Sequence, residues 1–204
     1  MIRGVVFDFG GVMTTATMPE RVRRCVAEYG ISWDALESGY AKYRRLMDGG
    51  FISFEEMYDL IWADADISIT PELKARIYEE DLASFMDEYR NLATLDWMRR
   101  LKCRGLKIGI LTNMSAMFED RFRAAYPEYF ALADASVISG REHMFKPQRR
   151  IYDLFASRIA LPAAELCFVD DVEGNCEGAR RAGWQAVRFT NNSETEAVLE
   201  RLLG

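Results

Sequence analysis

Short apolar runs that alternate with helical patterns are the feature that most restricts the fold of this chain. Strands are predicted at residues 2–8, 107–112, 134–138, 166–170 and 185–189. Helices are predicted at 91–104, near 116–126, near 148–159, at 174–182 and at the end of the chain. Alternation of this kind indicates βαβ units, because successive parallel strands must be joined by a crossover connection. The sequence therefore predicts an α/β fold with a doubly wound parallel sheet.

A block of helical pattern interrupts this alternation directly after the first strand. Residues 19–88 have almost continuous amphipathic helical spacing and few strand signals. We therefore expect a core formed by residues 1–15 and 90–204, with residues 16–89 inserted as a helical cap over the carboxyl edge of the sheet.

Two helix starts inside this block carry recognisable capping signals. Ser53 with Glu56 fits a capping box, in which the serine side chain and the glutamate side chain each accept a backbone N–H. Thr70 before Pro71 fits a helix that begins with proline at its first position.

Composition and charge restrict the class of partner. Of the 204 residues, 50% are hydrophobic and 28% are charged, which is typical of a globular protein. The formal net charge is −6, without a block of basic residues, so neither nucleic acid nor an anionic membrane is expected as a partner.

No segment approaches the length of a membrane span, and the first residues lack a signal-peptide pattern, so a cytoplasmic location is predicted. Nothing in the sequence indicates the oligomeric state.

The four cysteines have no metal-site or redox-motif spacing. They are Cys25, Cys103, Cys167 and Cys176, without a CxxC pair. We expect free, buried thiols in a reducing compartment.

Polar residues stand at the ends of the predicted strands or in the loops that follow them. The four segments are Asp8, Thr112-Asn113, Lys146-Pro147 and Asp170-Asp171. The carboxyl ends of parallel strands meet at one edge, so these groups are expected to converge. Carboxylates bind Mg²⁺ together with phosphate oxygens, and an aspartate can attack phosphorus. Hydroxyl, backbone N–H and ammonium groups neutralise the charge of a phosphoryl group in transfer. The set predicts phosphoryl transfer.

Each of these residues also has an interpretation without catalysis. Asp8 lies in a glycine-containing stretch that suits a turn, and Asp170-Asp171 suits the N-cap of the next helix. Lys146 fits a solvated loop residue, and Thr112 fits a β-branched strand end. His143 is the only histidine, which excludes mechanisms that need two, and we expect it on the surface near the mouth of the site.

Taken together, these residues resemble the haloacid dehalogenase (HAD) superfamily, in its phosphatase-like branch with a helical (C1-type) cap after the first strand. The matching segments cover nearly the whole chain in the family's order: Phe7 to Val12, Gly50 to Glu56, Leu111 to Asn113, Lys146-Pro147 with Ile151-Tyr152, and Phe168 to Asp171 with Asn175 and Gly178-Ala179. The resemblance implies a Rossmann-like core, an Mg²⁺ cofactor, and hydrolysis of a small phosphorylated metabolite through an aspartyl-phosphate intermediate. With Gly10 two residues after Asp8, the chain resembles the sugar-1-phosphate phosphatases of this branch, which makes a sugar phosphate a candidate substrate.

The resemblance also implies a metal site around the nucleophile. Asp8 would be both the nucleophile and a metal ligand, and Gly10 would offer its backbone carbonyl to the metal. Asp171 would complete the metal site, with Asp170 beside it and Asn175 in a supporting position.

Phosphate binding is implied at two further segments. Thr112 and the backbone of Asn113 would bind the phosphoryl oxygens, and Lys146 would bridge Asp8 and the phosphate, so that Thr112 and Lys146 count as catalytic together with Asp8. Contacts with the rest of the substrate are expected from the cap, with Tyr43, Arg44, Arg45 and Asp48 to Phe51 as candidates.

Gly10 departs from the family's usual pattern. Phosphatases of this branch have an aspartate two residues after the nucleophile, where it protonates the leaving oxygen and later activates water. A positioned acid–base group contributes roughly 10²–10⁴ in rate, so its loss at Gly10 is serious. Either the leaving group departs unprotonated, as from a sugar-1-phosphate or an acyl phosphate, or another residue, such as one from the cap, supplies the proton.

Two other functions compete with a phosphatase. A HAD-like protein with impaired turnover could serve in binding or regulation, which Gly10 favours. Dehalogenase chemistry, in which the aspartate attacks carbon, needs no metal, so the Asp170-Asp171 pair counts against it.

Overall fold

A parallel sheet of five strands forms the centre of the molecule. A computed structural model describes residues 1–15, 20–86 and 89–204. The strands are β1 (Gly4–Phe7), β2 (Thr14–Thr15), β3 (Tyr89–Arg90), β4 (Lys107–Thr112), β5 (Ala135–Ile138), β6 (Leu166–Asp170) and β7 (Gln185–Arg188). The parallel sheet has the order β5-β4-β1-β6-β7, and β2 pairs with β3 in a separate antiparallel ladder. The chain runs outward from β1 through β4 to β5 and then returns to β6 on the other side of β1. This confirms the predicted doubly wound sheet.

Within the described residues, helices connect these strands and also occur between Glu20 and Met86 in the segment that separates β2 from β3. They are α1 (Glu20–Glu28), α2 (Trp33–Asp48), α3 (Phe54–Asp64), α4 (Pro71–Met86), α5 (Leu92–Cys103), α6 (Glu119–Ala125), α7 (Pro127–Leu132), α8 (Ser139–Glu142), α9 (Arg149–Ile159), α10 (Glu173–Arg181) and α11 (Asn192–Leu203). The almost continuous helix predicted over 19–88 is instead divided into α1 to α4. Gly30 and Gly50 follow α1 and α2 with φ angles of 69° and 70°, a backbone conformation that ends a helix. Residues 19, 87 and 88 of that prediction lie outside the described residues.

Two short helices were not predicted. α7 begins at Pro127, whose fixed φ suits a first helical position. α8 is a single turn directly after β5, which is too short to produce a helical period in the sequence. The helix predicted near 116–126 is a 3₁₀ turn, Ala116–Phe118, followed by α6.

Both faces of the sheet are covered by helices. Alternate side chains of the central strands point to opposite sides, as the pleat of a strand requires. On one face Val5, Phe7, Ile108, Ile110, Cys167 and Val169 pack in a cluster that includes buried residues of α5 and α11. On the other face Val6, Leu111, Val137 and Phe168 pack with buried residues of α9 and α10. With both faces covered, the carboxyl ends of the strands are where a site is expected in a doubly wound sheet.

The predicted helix starts in the inserted block are confirmed. The Ser53 hydroxyl accepts the Glu56 N–H at 3.0 Å, and the Glu56 carboxylate accepts the Ser53 N–H at 2.7 Å. The Thr70 hydroxyl accepts the Leu73 N–H at 3.3 Å, and α4 begins at Pro71.

The helices α1 to α4, which we call the helical insert, are joined to the rest of the molecule by a strand ladder and by side-chain packing. The chain leaves through β2 and returns through β3, and these strands pair with Thr14 opposite Arg90. Phe54 of α3 packs edge-on against Phe118, with ring centroids 5.6 Å apart. The insert therefore shares its apolar core with one face of the sheet.

The cysteines are free thiols, but not all of them are buried. Cys25, Cys167 and Cys176 are buried as expected, whereas Cys103 is exposed. The prediction of burial was wrong for Cys103 because this residue ends α5 beside the exposed Arg104-Gly105 turn. None of the helices in the described ranges combines the length and apolarity that crossing a membrane requires.

Gly109, in the middle of β4, provides a test of the packing between the sheet and α9. A Cβ built on Gly109 would lie 2.4 Å from Cζ of the buried Phe155, whereas one built on Gly174 in α10 meets no described atom within 4 Å. We expect Gly109→Ala to lower the free energy of unfolding by about 1–3 kcal/mol, because overpacking displaces the ring. Gly174→Ala should leave it unchanged or raise it by up to about 1 kcal/mol. Urea denaturation of both variants measures this, and equal effects would contradict the packing described.

Candidate active site

Asp8 is fixed at the carboxyl edge of the sheet by its backbone. It directly follows β1, and its N–H donates to the Val169 carbonyl of β6 at 2.9 Å. The Phe9 N–H donates to Oδ1 of Asp8 at 2.7 Å, and the Phe9 carbonyl accepts the N–H groups of Met13 and Thr14 in a compact turn. The Phe9 ring packs against Phe122 at 5.1 Å, so the turn that carries Asp8 is anchored in the core.

Lys146 is buried between two carboxylates. Its Nζ lies 2.8 Å from Oδ1 of Asp8 and 2.7 Å from Oδ2 of Asp170, and the residue is 1% exposed. The interpretation of Lys146 as a solvated loop residue is therefore wrong. Burial by itself would lower the pKa of Lys146, but the Asp8 and Asp170 carboxylates raise it above its ordinary value, so the ammonium stays protonated.

Asp170 accepts hydrogen bonds from several neighbouring groups. Besides Lys146, the Asn175 amide donates to its two oxygens at 3.0 and 3.1 Å, and the Val172 N–H donates to Oδ1 at 2.8 Å. The N-cap of α10 is Val172, so the interpretation of Asp170-Asp171 as a helix cap does not hold. Asn175 is held in turn by the Tyr152 hydroxyl, which donates to its carbonyl at 2.8 Å.

Asp171 joins Asp8 and Asp170 in an acidic cluster. One oxygen of each of these three carboxylates lies within 4.8 Å of the others. Gly11 allows Asp171 to approach, since its φ is +80° and a Cβ there would lie 2.5 Å from Oδ2 of Asp171. Three carboxylate oxygens at such spacing form a donor set that suits a hard divalent cation such as Mg²⁺.

The electrostatics of the cluster also favour a cation. The pKa of Asp8 is raised to about 8, first by burial and also by the neighbouring Asp170 and Asp171, while Lys146 offsets part of the rise. Burial and the Asp170 carboxylate likewise raise the pKa of Asp171. A single ammonium does not offset three carboxylates, so a bound cation would stabilise the ionised form of the cluster.

Thr112 and Asn113 end the neighbouring strand at the same edge. Phe7 pairs with Ile110, so Thr112 lies just beyond the level of Asp8, where it is buried. The Asn113 side chain accepts the Lys146 N–H at 2.8 Å and donates to the Lys146 carbonyl at 3.1 Å. This role of the Asn113 side chain, which fixes the backbone that carries Lys146, was not predicted.

Ser139 is a further residue that the sequence prediction missed. It is buried directly after β5, and its hydroxyl accepts the Met114 N–H at 2.8 Å and donates to the Asp48 carbonyl. The rule that identified the other residues, a polar group just beyond a strand end, would have identified Ser139 as well.

The candidate substrate-contact residues of the insert fall into two groups. Tyr43 donates to Asp64 at 2.6 Å on α3, and Arg45 is exposed. The segment from Asp48 to Phe51 lies nearer the site, since the Phe51 ring packs against His143 and Phe145 at 6.1 and 6.3 Å. His143 is exposed at the end of α8, as expected.

Known proteins similar to this chain include both phosphatases and dehalogenases. A phosphatase of Mycobacterium tuberculosis is 26% identical over 201 residues, which cover 95% of this chain and 90% of the relative. An (S)-2-haloacid dehalogenase of Pseudomonas putida is 26% identical over 200 residues, which cover 90% of this chain and 82% of the relative. A HAD family enzyme of Bacteroides thetaiotaomicron, solved as a magnesium complex, superimposes with a TM-score of 0.74 at 19% identity, over 98% of both chains.

The sequence profile of one family matches most of the chain. It is described as haloacid dehalogenase-like hydrolase and matches residues 2–183. The sheet order, the strand-end residues and this match agree with one another. The chain belongs to the haloacid dehalogenase-like hydrolases.

Proposed function

We propose that this hydrolase is an Mg²⁺-dependent phosphatase of a small phosphorylated metabolite, which acts through an aspartyl phosphate on Asp8. The observation that carries the proposal is the cluster of Asp8, Asp170 and Asp171 with Lys146 buried beside it. Such a cluster can share a cation with a phosphate, while the ammonium adds a second positive charge at the same place.

The acidic cluster favours a phosphatase over a dehalogenase. Attack of an aspartate on carbon needs one ionised carboxylate and no cation. Two further carboxylates beside Asp8 would disfavour its ionised form, because like charges raise the pKa of an aspartate. With a divalent cation, the same carboxylates become metal ligands. Similar proteins include a phosphatase and a dehalogenase, and the Asp170-Asp171 pair favours phosphatase activity over dehalogenase activity.

In this proposal the residues at the edge of the sheet act as nucleophile, metal ligands and phosphate-binding groups. Asp8 attacks phosphorus, while Asp8, Asp171, the Gly10 carbonyl and Asp170 hold Mg²⁺ directly or through water. The metal would neutralise phosphoryl charge and orient the phosphate. Thr112 and the Asn113 backbone would bind the equatorial oxygens, as would Lys146, and Asn175 would keep Asp170 in place.

We further propose that the helical insert is a cap that covers the substrate. The core would comprise residues 1–15 and 90–204 and the cap residues 16–89, of which 16–19 and 87–88 lie outside the described residues. The pairing of β2 with β3, where the chain leaves and rejoins the sheet, supports boundaries near Thr15 and Arg90. The cytoplasmic location expected from the sequence remains a prediction.

A binding or regulatory role is the second candidate, and Gly10 is the observation that favours it. A phosphate-release screen separates the two, using sugar-1-phosphates, acyl phosphates and alkyl phosphates with and without Mg²⁺. Turnover of any class that depends on Mg²⁺ supports the phosphatase. Chloride release from 2-chloropropionate without a metal would instead support the dehalogenase.

Asp8→Asn should lower the rate of phosphate release by a factor on the order of 10³ or more, because the amide cannot form the phosphorylated intermediate. The variant should also fail to bind beryllofluoride with Mg²⁺, which fluorine NMR detects in the wild type. Asp153→Asn on the exposed face of α9 is the matched control and should behave as wild type. Full activity of Asp8→Asn would refute the proposed nucleophile.

Mg²⁺ binding should be coupled to proton release. Because the pKa of Asp8 is raised to about 8 without a cation, a proton competes with the metal at neutral pH. The apparent Mg²⁺ affinity should therefore rise as pH increases from 6 to 8, by up to about tenfold per unit, and level off above the pKa. Calorimetric titration in buffers of different ionisation enthalpy measures the released proton. Asp8→Asn should weaken this dependence, and a pH-independent affinity of the wild type would contradict the assigned cluster.

A further inference from the structure

The proposed phosphatase leaves one chemical task without a residue, which is protonation of the leaving oxygen. Gly10 has no side chain to do this, and a Cβ built on it would meet no described atom within 4 Å. The space in which an acid two residues after Asp8 would stand is therefore open. A donor from another element must approach from the helical insert or from the loops around Lys146.

Asp48 is a carboxylic acid in an unusual position on the insert. It is the last residue of α2 and is 8% exposed. A carboxylate at this end of a helix is disfavoured by the helix dipole, and burial disfavours it further. Positions that break local rules in this way are expected at functional or strained sites.

The backbone around Asp48 is held against the active-site loops. The Ser139 hydroxyl donates to the Asp48 carbonyl and accepts the N–H of Met114, two residues after Thr112. One buried serine therefore links the end of α2 to the loop that follows β4.

Two glycines after Asp48 allow this close approach. A Cβ built on Gly50, whose φ is +70°, would lie 2.3 Å from the Gly140 carbonyl oxygen. A Cβ built on Gly49 would lie 2.9 Å from the ring of Phe145, the neighbour of Lys146. The segment thus packs directly on the loop that carries the active-site lysine.

The charges around Asp48 leave its carboxyl poised between its two forms. Burial raises its pKa, and Arg44 on its own helix, 3.4 Å away, and Lys146 offset part of that rise, so that the pKa is about 6. The other charged groups of the α8 element packed against it have partners elsewhere. Arg141 pairs with Glu119 and Glu142 with Arg158, and His143 is exposed beside Phe51.

We propose that Asp48 is the catalytic acid and base of this enzyme and replaces the side chain absent at Gly10. The proposal rests on the phosphatase function above. When an oxygen of Asp8 bonds to phosphorus and the bond to the leaving oxygen breaks, the Asp48 proton goes to that oxygen and an alcohol departs. Asp48, now a carboxylate, takes a proton from a water that attacks the same phosphorus. The bond to Asp8 breaks, inorganic phosphate leaves, and both aspartates return to their starting forms.

Dependence on the leaving group tests this role. An alkyl phosphate needs a proton donor, whereas 4-nitrophenyl phosphate has a leaving group stable enough to depart without one. In Asp48→Asn, kcat/KM should fall by roughly 10²–10⁴ for the alkyl phosphate and by less than about tenfold for 4-nitrophenyl phosphate. The value of kcat/KM reports the first phosphoryl transfer, so slower hydrolysis of the intermediate does not obscure the comparison.

Two matched variants complete the experiment. Asp34→Asn, on the exposed first turn of the same helix, should leave kcat/KM unchanged for both substrates. When Gly10→Asp is added to Asp48→Asn, kcat/KM for the alkyl phosphate should be at least tenfold higher than in Asp48→Asn alone, because the open space at Gly10 accepts an acid. This rescue also shows that the single variant is folded, as does its retained binding of beryllofluoride with Mg²⁺.

An equal fall for both substrates, or no fall for the alkyl phosphate, would overturn the role of Asp48 and leave the phosphatase intact. If the wild type hydrolyses neither substrate with Mg²⁺ and fails to bind beryllofluoride, the proposed function itself fails and this role fails with it.

Discussion

The buried ammonium of Lys146, held between Asp8 and Asp170, is the interaction on which the rest of the site depends. Ions removed from water are stable only when their partners are held in good geometry, and loss of one partner leaves a buried charge. Several contacts outside the trio provide that geometry. Asn113 fixes the backbone of Lys146 through two hydrogen bonds, and Asn175 holds both oxygens of Asp170. The parallel pairing of β1 with β6 places Asp8 and Asp170 side by side at the carboxyl edge of the sheet.

The same cluster carries more negative than positive charge, so a bound cation would stabilise it. Three carboxylates meet within a few ångströms, and Lys146 neutralises only one of them. Without another positive charge, Asp8 favours its protonated form, in which it is a poor nucleophile. In the proposed function the metal therefore has two effects: it binds the phosphate, and it stabilises the ionised Asp8. A phosphate adds further negative charge, which strengthens the need for both the metal and the lysine.

Moving the acid from the Asp8 loop to the end of α2 would couple catalysis to the helical insert. An acid two residues after the nucleophile is positioned by the core alone, whereas Asp48 is positioned by the packing of Gly49 and Gly50 on the core. In this arrangement the proton donor reaches the leaving oxygen only when the insert is seated on Ser139. The element expected to select the substrate would then also complete the catalytic set.

The sequence by itself determined the sheet and the residues at its carboxyl edge. Local patterns along the chain carry this information: the hydrophobic period, the capping residues and the polar residues beyond the strands. They predicted the bounds of β4 and β6 to the residue. They also identified Asp8, Lys146 and Asp171 as candidate site residues. Tertiary structure alone decided that Lys146 is buried, that the Asn113 side chain holds it from 33 residues away, and that Ser139 binds the carbonyl of Asp48 from 91 residues away. No local pattern reports such contacts, because they arise only when the strand ends and the insert are brought together by packing. The sequence alone shows that position 10 is a glycine and carries no acid. Only the folded chain shows that Asp48, the residue proposed to act in its place, is buried against the active-site loops.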